Sequence, residues 1–258
     1  PAHAPGFFEL MQNLEAAAAS GQLASVRAVK GQVTGPLTFG TGLYDQDRRR
    51  VFFDDQLRDA AVKMLALKAA WQVSMLKRFE RPVIVFIDEP ALTGYGSSDF
   101  ISISPEDISA SLLEITAAVQ QAGGLAGIHV CGNTDWGLVL ASGIDIVNFD
   151  AYGYFDKFVA FGPAVKAFLE SGGTIAWGIV PTTPADAVDA ESAAALVARW
   201  QDCAERIHGL GVAMETIYRQ AIITPSCGMG TIALPQVEKV LDMTRRAADS
   251  LMQADFLL

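Results

Sequence analysis

A chain of 258 residues with 51% hydrophobic and 19% charged side chains has the composition of a globular protein, long enough to bury one large core as a single domain over 1–258. Its net charge of −10 argues against nucleic acid as a partner, because a binding face would have to overcome repulsion from phosphates. No apolar run approaches the length of a membrane span, and three cysteines, Cys131, Cys203 and Cys227, are too few for a disulfide framework, which points to a reducing cytoplasm.

The chain starts at Pro1 rather than at a Met, and we expect native residues to precede it. Residues 7–19 read as a helix ended by Ser20-Gly21, and 26–33 as a strand running into Thr34-Gly35-Pro36, a break that lets backbone approach whatever sits there or simply forms a turn. Arg48-Arg49-Arg50, just after Asp45 and Asp47, reads as a solvated loop or helix start. A long helix over 52–79 has Asp54 and Asp55 in its first turn and Lys77 and Arg78 in its last, with Leu57, Ala61, Met64, Trp71 and Met75 as its core stripe. The five apolar residues 83–87 fit a strand covered on both faces, and it ends in Asp88-Glu89-Pro90. Two adjacent acids at such a tip are costly unless paired or touching a ligand, and they point to opposite sides. Either one serves a pocket, or Glu89 caps a helix while Asp88 holds a loop.

Ser104-Pro105-Glu106-Asp107 opens the next helix, to about Gln121, with Ser as N-cap and Pro at the first position. The following strand, 126–131, carries His129 and Cys131 two residues apart, hence on one side, and ends in the turn Gly132-Asn133. Imidazole and thiolate side by side suit a soft divalent metal such as zinc; a buried thiol beside a hydrogen-bonded core histidine is the plainer alternative. Helices near 134–141, 156–171 and 191–208 alternate with strands at 145–149, 174–180 and 221–226, and a last helix begins near Pro235. Thr34, Asp88, His129, Cys131, Asp150 and Cys227 all end or follow strands. In a parallel barrel those ends share the face where active sites lie. Six βα units are two short of a closed barrel, so the fold expected is a TIM-type (β/α)8 barrel with strands three to eight in this chain and the first two before Pro1.

With those residues in place, the chain resembles the barrel superfamily of cobalamin-independent methionine synthase and uroporphyrinogen decarboxylase. Within it, the chain is most similar to short single-barrel methionine synthase homologues. The matching stretches are Lys30-Gly31-Gln32-Val33-Thr34-Gly35-Pro36, Ile87-Asp88-Glu89-Pro90-Ala91, His129-Val130-Cys131 and Pro225-Ser226-Cys227-Gly228. The resemblance implies zinc held by His129, Cys131 and Cys227, with Asp150 where the family has a glutamate ligand. It implies Asp88 as the contact for the amino group of homocysteine, Asp88 and Glu89 as catalytic candidates, and Thr34 and Asn133 beside Asp88 in substrate binding.

The sequence departs from that pattern in one respect. The folate-using members place a histidine after the seventh strand to protonate the departing nitrogen, whereas here the strand ends Ile179-Val180-Pro181-Thr182-Thr183. The remaining histidines, His3 and His208, lie at the start of the chain and at a helix end before Gly209. A methylcorrinoid such as methylcobalamin releases cobalt(I) and needs no proton. The expectation is therefore a zinc methyltransferase acting on homocysteine with a methylcorrinoid, carried by a corrinoid protein, as donor. Alternatives are another acceptor thiol such as coenzyme M, a metal-free decarboxylase acting on a tetrapyrrole, and a corrinoid- or metal-binding protein without turnover.

Overall fold

The computed structural model describes residues 4–100 and 102–255. Its helices and strands alternate as the sequence predicts, and the strand order in the sheet is β1 to β6 in chain order. The chain divides into two compact units, Pro1–Asp88 with Ser104–Gly127, and Glu89–Ile103 with Ile128–Leu258.

In the first unit, α1 (Pro5–Ala19) leads through a 3₁₀ turn to β1 (Val29–Thr34), α2 (Pro36–Gly42), α3 (Asp55–Leu76), β2 (Val83–Asp88) and α4 (Pro105–Gln121). Strand β1 begins three residues later than the sequence suggests, because Gln22–Ser25 close a 3₁₀ turn ahead of it. β1 and β2 pair in parallel, with Thr34 opposite Asp88. Pro36 opens α2 rather than a bare turn, occupying the first turn where a missing N–H costs nothing. Asp54 caps α3 by accepting from the amides of Gln56 and Leu57. Ser104 caps α4 through Asp107 N at 3.0 Å, as its sequence predicts.

The stripe expected to be the core of α3 is corrected by the structure: Leu57, Met64 and Trp71 are 41–45% exposed. The buried face is instead Val62, Leu65, Ala69, Val73 and Leu76. Apolar residues surround this helix, so periodicity alone could not choose a face. Packing against β1 and α4 chooses it. Gln72, on the buried face, donates to Gln32 O at 2.8 Å and accepts from Gln32 N at 3.0 Å. Gly31 makes room for it, since a Cβ there would lie 2.2 Å from Gln72 Oε1.

Strand β3 (Leu125–Val130) runs into the second unit, which continues as α5 (Trp136–Leu140), β4 (Ile146–Phe149), α6 (Ala151–Val159), α7 (Gly162–Glu170), β5 (Thr174–Val180), α8 (Ala185–Ala190), α9 (Ala193–His208), α10 (Met214–Arg219), β6 (Ala221–Pro225) and α11 (Leu234–Asp255). The pairs β4–β5 and β5–β6 are parallel. Strands ordered as in the chain follow the winding of a (β/α) barrel, where a doubly wound sheet would reverse at a switch point. The single helix expected near 156–171 is two, α6 starting directly after Asp150 and breaking at Ala160-Phe161. Behind β4 and β5, Phe149 stacks on Phe158 at 4.2 Å between ring centroids, Trp136 meets both, and Trp177 contacts Phe155 and Trp200. Each such pair contributes about 0.5–1.5 kcal/mol beyond burial, which fixes the strands whose ends carry the site. No helix among the described residues is long and apolar enough to cross a membrane.

Candidate metal centre

The chemistry-bearing side chains of the second unit follow three strands. His129 is the penultimate residue of β3 and half-buried, Cys131 comes one residue after the strand, and Cys227 is exposed two residues beyond β6. The loop carrying Cys131 is pinned from below. Glu89 N donates to His129 O at 2.9 Å, and Thr134 Oγ1 donates to Leu92 O at 2.9 Å. Gly132 lies against Thr93, whose Cγ2 would be 2.9 Å from an added Cβ.

His129 Nε2 and Cys227 Sγ are 3.9 Å apart. The other imidazole nitrogen, Nδ1, is 2.5 Å from Asn148 Oδ1. Cys131 neighbours Cys227: burial first, and then the Cys227 sulfur, push the Cys131 thiol above the ordinary thiol value. Two ligands of a tetrahedral zinc, one nitrogen and one sulfur, sit roughly 3.6 Å apart. The His129–Cys227 spacing therefore needs to close by only ~0.3 Å, and the donor types suit the ion. Among the described residues, no group of three or more His, Cys, Asp and Glu side chains already converges as a finished metal cage. The geometry thus gives a two-donor core with a second thiol beside it.

Asp150 stands at the N-cap of α6, its Oδ1 accepting from Gly153 N at 2.8 Å. Burial raises its carboxyl above the usual carboxylate range, opposed by amide bonds from Gly153 and Tyr152 and by the nearby Arg199 guanidinium. Arg199 also holds that first turn, donating to Tyr152 O at 2.6 Å with its guanidinium 4.2 Å from the Tyr152 ring centre. The carboxylate expected as a ligand is thus already engaged as a helix cap.

The other candidates fall as follows. Asp88 ends β2 and Thr34 ends β1, paired in register in the first unit. Glu89 belongs to the second unit and is wholly buried; it starts the 3₁₀ turn Pro90–Gly94 without a side-chain capping bond. Asn133 is exposed in the bend after β3. His208 ends α9 and donates through Nδ1 to Val212 O at 2.8 Å, so it closes a loop. His3 lies outside the described residues. At the end of β5, Thr182 is buried, its amide and hydroxyl both 3.2 Å from Ser226 Oγ.

The residue that sequence reasoning passed over is Asn148. It was available as a signal: one amide in the otherwise apolar run Ile146-Val147-Asn148-Phe149, 5% exposed, must find buried partners.

Parallel strands with imidazole, thiol and carboxylate groups at their carboxyl ends are compatible with the barrel class, in which active sites are built from the loops following the strands. The chain belongs to the family of the cobalamin-independent synthase catalytic domain, whose family model matches residues 11–250. The membership read from its motifs is thereby met. None of the curated proteins compared with the chain matches it.

Proposed function

We propose that the chain is a zinc-dependent methyltransferase that moves a methyl group from a methylcorrinoid to homocysteine, giving methionine, with the six strands serving as the third to eighth of a barrel. The observation that carries the reading is the 3.9 Å approach of His129 Nε2 to Cys227 Sγ, with Cys131 alongside. These three side chains would hold the ion and leave it open to the acceptor. Zinc held there supplies the positive charge that keeps a substrate thiol ionised near neutral pH. His129 contributes a neutral donor, the two cysteines contribute charge, and Asp150 keeps α6 in place.

In the transfer, the acceptor's thiol proton goes to solvent and its sulfur attacks the methyl carbon. The carbon–sulfur bond forms as the cobalt–carbon bond breaks, and the electron pair stays on cobalt, which leaves as cobalt(I). The end of β5 favours this donor. Pro181 has no donor group, and Thr182 is turned onto Ser226, so that strand end supplies no side chain that gives up a proton near pH 7. A methylated folate requires such a proton for its leaving nitrogen; a corrinoid does not. A positioned general acid is worth about 10²–10⁴-fold.

The test compares methylcobalamin and methylfolate at saturating homocysteine on zinc-loaded protein, following cobalt(I) by absorbance and methionine directly. Methylcobalamin should be faster by about that factor. Faster turnover with methylfolate would overturn the donor assignment. Cys227→Ser should take zinc content from near one per chain to a trace, since a hydroxyl is a poor ligand at neutral pH; retained zinc would overturn the site.

A further inference from the structure

We infer that Asn148 is a positioning residue that fixes the tautomer of His129, presenting Nε2 as a bare lone pair toward Cys227. The inference rests on the proposed metal site only for its functional consequence; the tautomer itself follows from hydrogen bonding alone.

One fixed acceptor, the Ala176 carbonyl, settles which way the Asn148 amide faces. Its Nδ2 is 2.7 Å from the backbone carbonyl of Ala176 on β5, its register partner, and 2.9 Å from Thr224 Oγ1 on β6. A carbonyl oxygen carries no hydrogen, so the atom facing Ala176 O must be the NH₂, and both of its hydrogens are used. Reversing the amide would set two carbonyl oxygens against each other at hydrogen-bond distance. Oδ1 therefore faces His129 Nδ1, 2.5 Å away, and since Oδ1 can only accept, Nδ1 must carry the proton. In a neutral imidazole that leaves Nε2 unprotonated, 3.9 Å from Cys227 Sγ. Free neutral imidazole in water favours the opposite form, with the proton on Nε2. The network therefore reverses the solution preference.

The arrangement also has a mechanical side. Asn148 sits in β4 and bonds to groups on β3, β5 and β6, so a single amide ties the strand of His129 to the strand that leads into Cys227. Histidines that ligate metals generally donate their second N–H to an outer partner, and loss of such a partner lowers affinity about 10–100-fold. Here the partner is an amide held by two further bonds, which keeps the imidazole oriented.

The experiment uses ¹⁵N-histidine-labelled protein stripped of metal, with His129 assigned by its loss in His129→Gln. The wild-type spectrum should show Nδ1 as the protonated, pyrrole-type nitrogen and Nε2 as pyridine-type. Asn148→Asp, whose protonated form keeps an acceptor toward Nδ1 and a donor toward Ala176 O, should keep the pattern. Asn148→Leu should lose it and move the proton to Nε2. Zinc affinity, measured by chelator competition, should fall about 10–100-fold in Asn148→Leu and recover to within a few-fold in Asn148→Asp. His208, bonded to Val212 O, serves as the unchanged internal reference. A wild-type spectrum with the proton on Nε2 would overturn the inference, and that reading needs no variant to fold. So would an Asn148→Leu protein with unaltered tautomer and affinity. Nδ1–H in a wild-type protein that binds no zinc would instead sink the metal reading and leave the tautomer assignment standing.

Discussion

Gly178 is the position at which one added methyl group should do most damage. A Cβ there would lie 2.3 Å from Phe149 O and 2.9 Å from Ser226 Cα, both backbone atoms, one at the end of β4 and the other just beyond β6. An ordinary carbon–oxygen contact is about 3.3 Å, so one strand end must retreat by ~1 Å. Neither neighbour is the tip of a flexible side chain, and the pairing of β5 with β6 already shifts register between Gly178 and Val180. Overpacking costs about 1–3 kcal/mol, and backbone on both sides puts Gly178→Ala at about 2–3. For a chain of this size that lowers the melting temperature by about 4–12 °C. The residues displaced adjoin Asp150 and Cys227, so zinc affinity should fall along with stability. The control is Gly228→Ala, beside the same cysteine but with nothing within 4 Å of its added carbon; its midpoint should move by less than about 0.5 kcal/mol. Thermal and urea midpoints of the two variants decide the matter. Equal midpoints would mean that the strand ends have slack the structure does not show, and the reasoning from close backbone approach would fail.

Other outcomes follow from the same geometry. Asp150→Ala removes the N-cap of α6 and should cost about 0.5–2 kcal/mol, while Asp150→Asn, an equally good cap, should keep both stability and zinc; loss of zinc in the Asn variant would make the carboxylate a ligand after all. Burial pushes the Cys203 thiol up from 9.0 to about 11, so the folded state keeps its proton to higher pH than the unfolded chain does. Stability should be level below pH 9, fall between about pH 9 and 11 by about 2–3 kcal/mol, and level off above. Cys203→Ala should remove that alkaline decline, which pH-resolved urea titrations would read. Gly31→Ala should lose the Gln72–Gln32 pair of bonds and destabilise the first unit by about 1–3 kcal/mol, checked by hydrogen exchange at Gln32.

Much of this was legible from the residues. Uninterrupted apolar runs such as 83–87 announced buried parallel strands, and Ser104-Pro105-Glu106-Asp107 announced a cap that the structure reproduces bond for bond. His129 lies on the strand expected from its apolar neighbours, while Cys131 falls one residue past its end. What escaped depended on atoms far apart in the chain. The buried face of α3 was chosen by its neighbours, since apolar side chains surround that helix. The second role of Asp150, as a cap, became visible only once α6 was seen to begin at Ala151. Asn148 looked like a lone polar residue until Ala176 and Thr224 came within reach of its amide.

Gln72 has a consequence for the outer edge of β1. Val29 N bonds to Pro82 O and Gly35 N to Asp88 O, so the odd-numbered residues of β1 turn their backbone toward β2, and Gln32 turns its own the other way. The Gln72 side chain meets that outward N–H and C=O with an amide of the same shape as a peptide unit, imitating a single residue of an adjoining strand. A neighbouring strand, such as the second strand of the proposed barrel, would meet this mimic at the middle of β1 and would have to take its place. The side chain therefore keeps satisfied an N–H and a C=O that a neighbouring strand would otherwise bond.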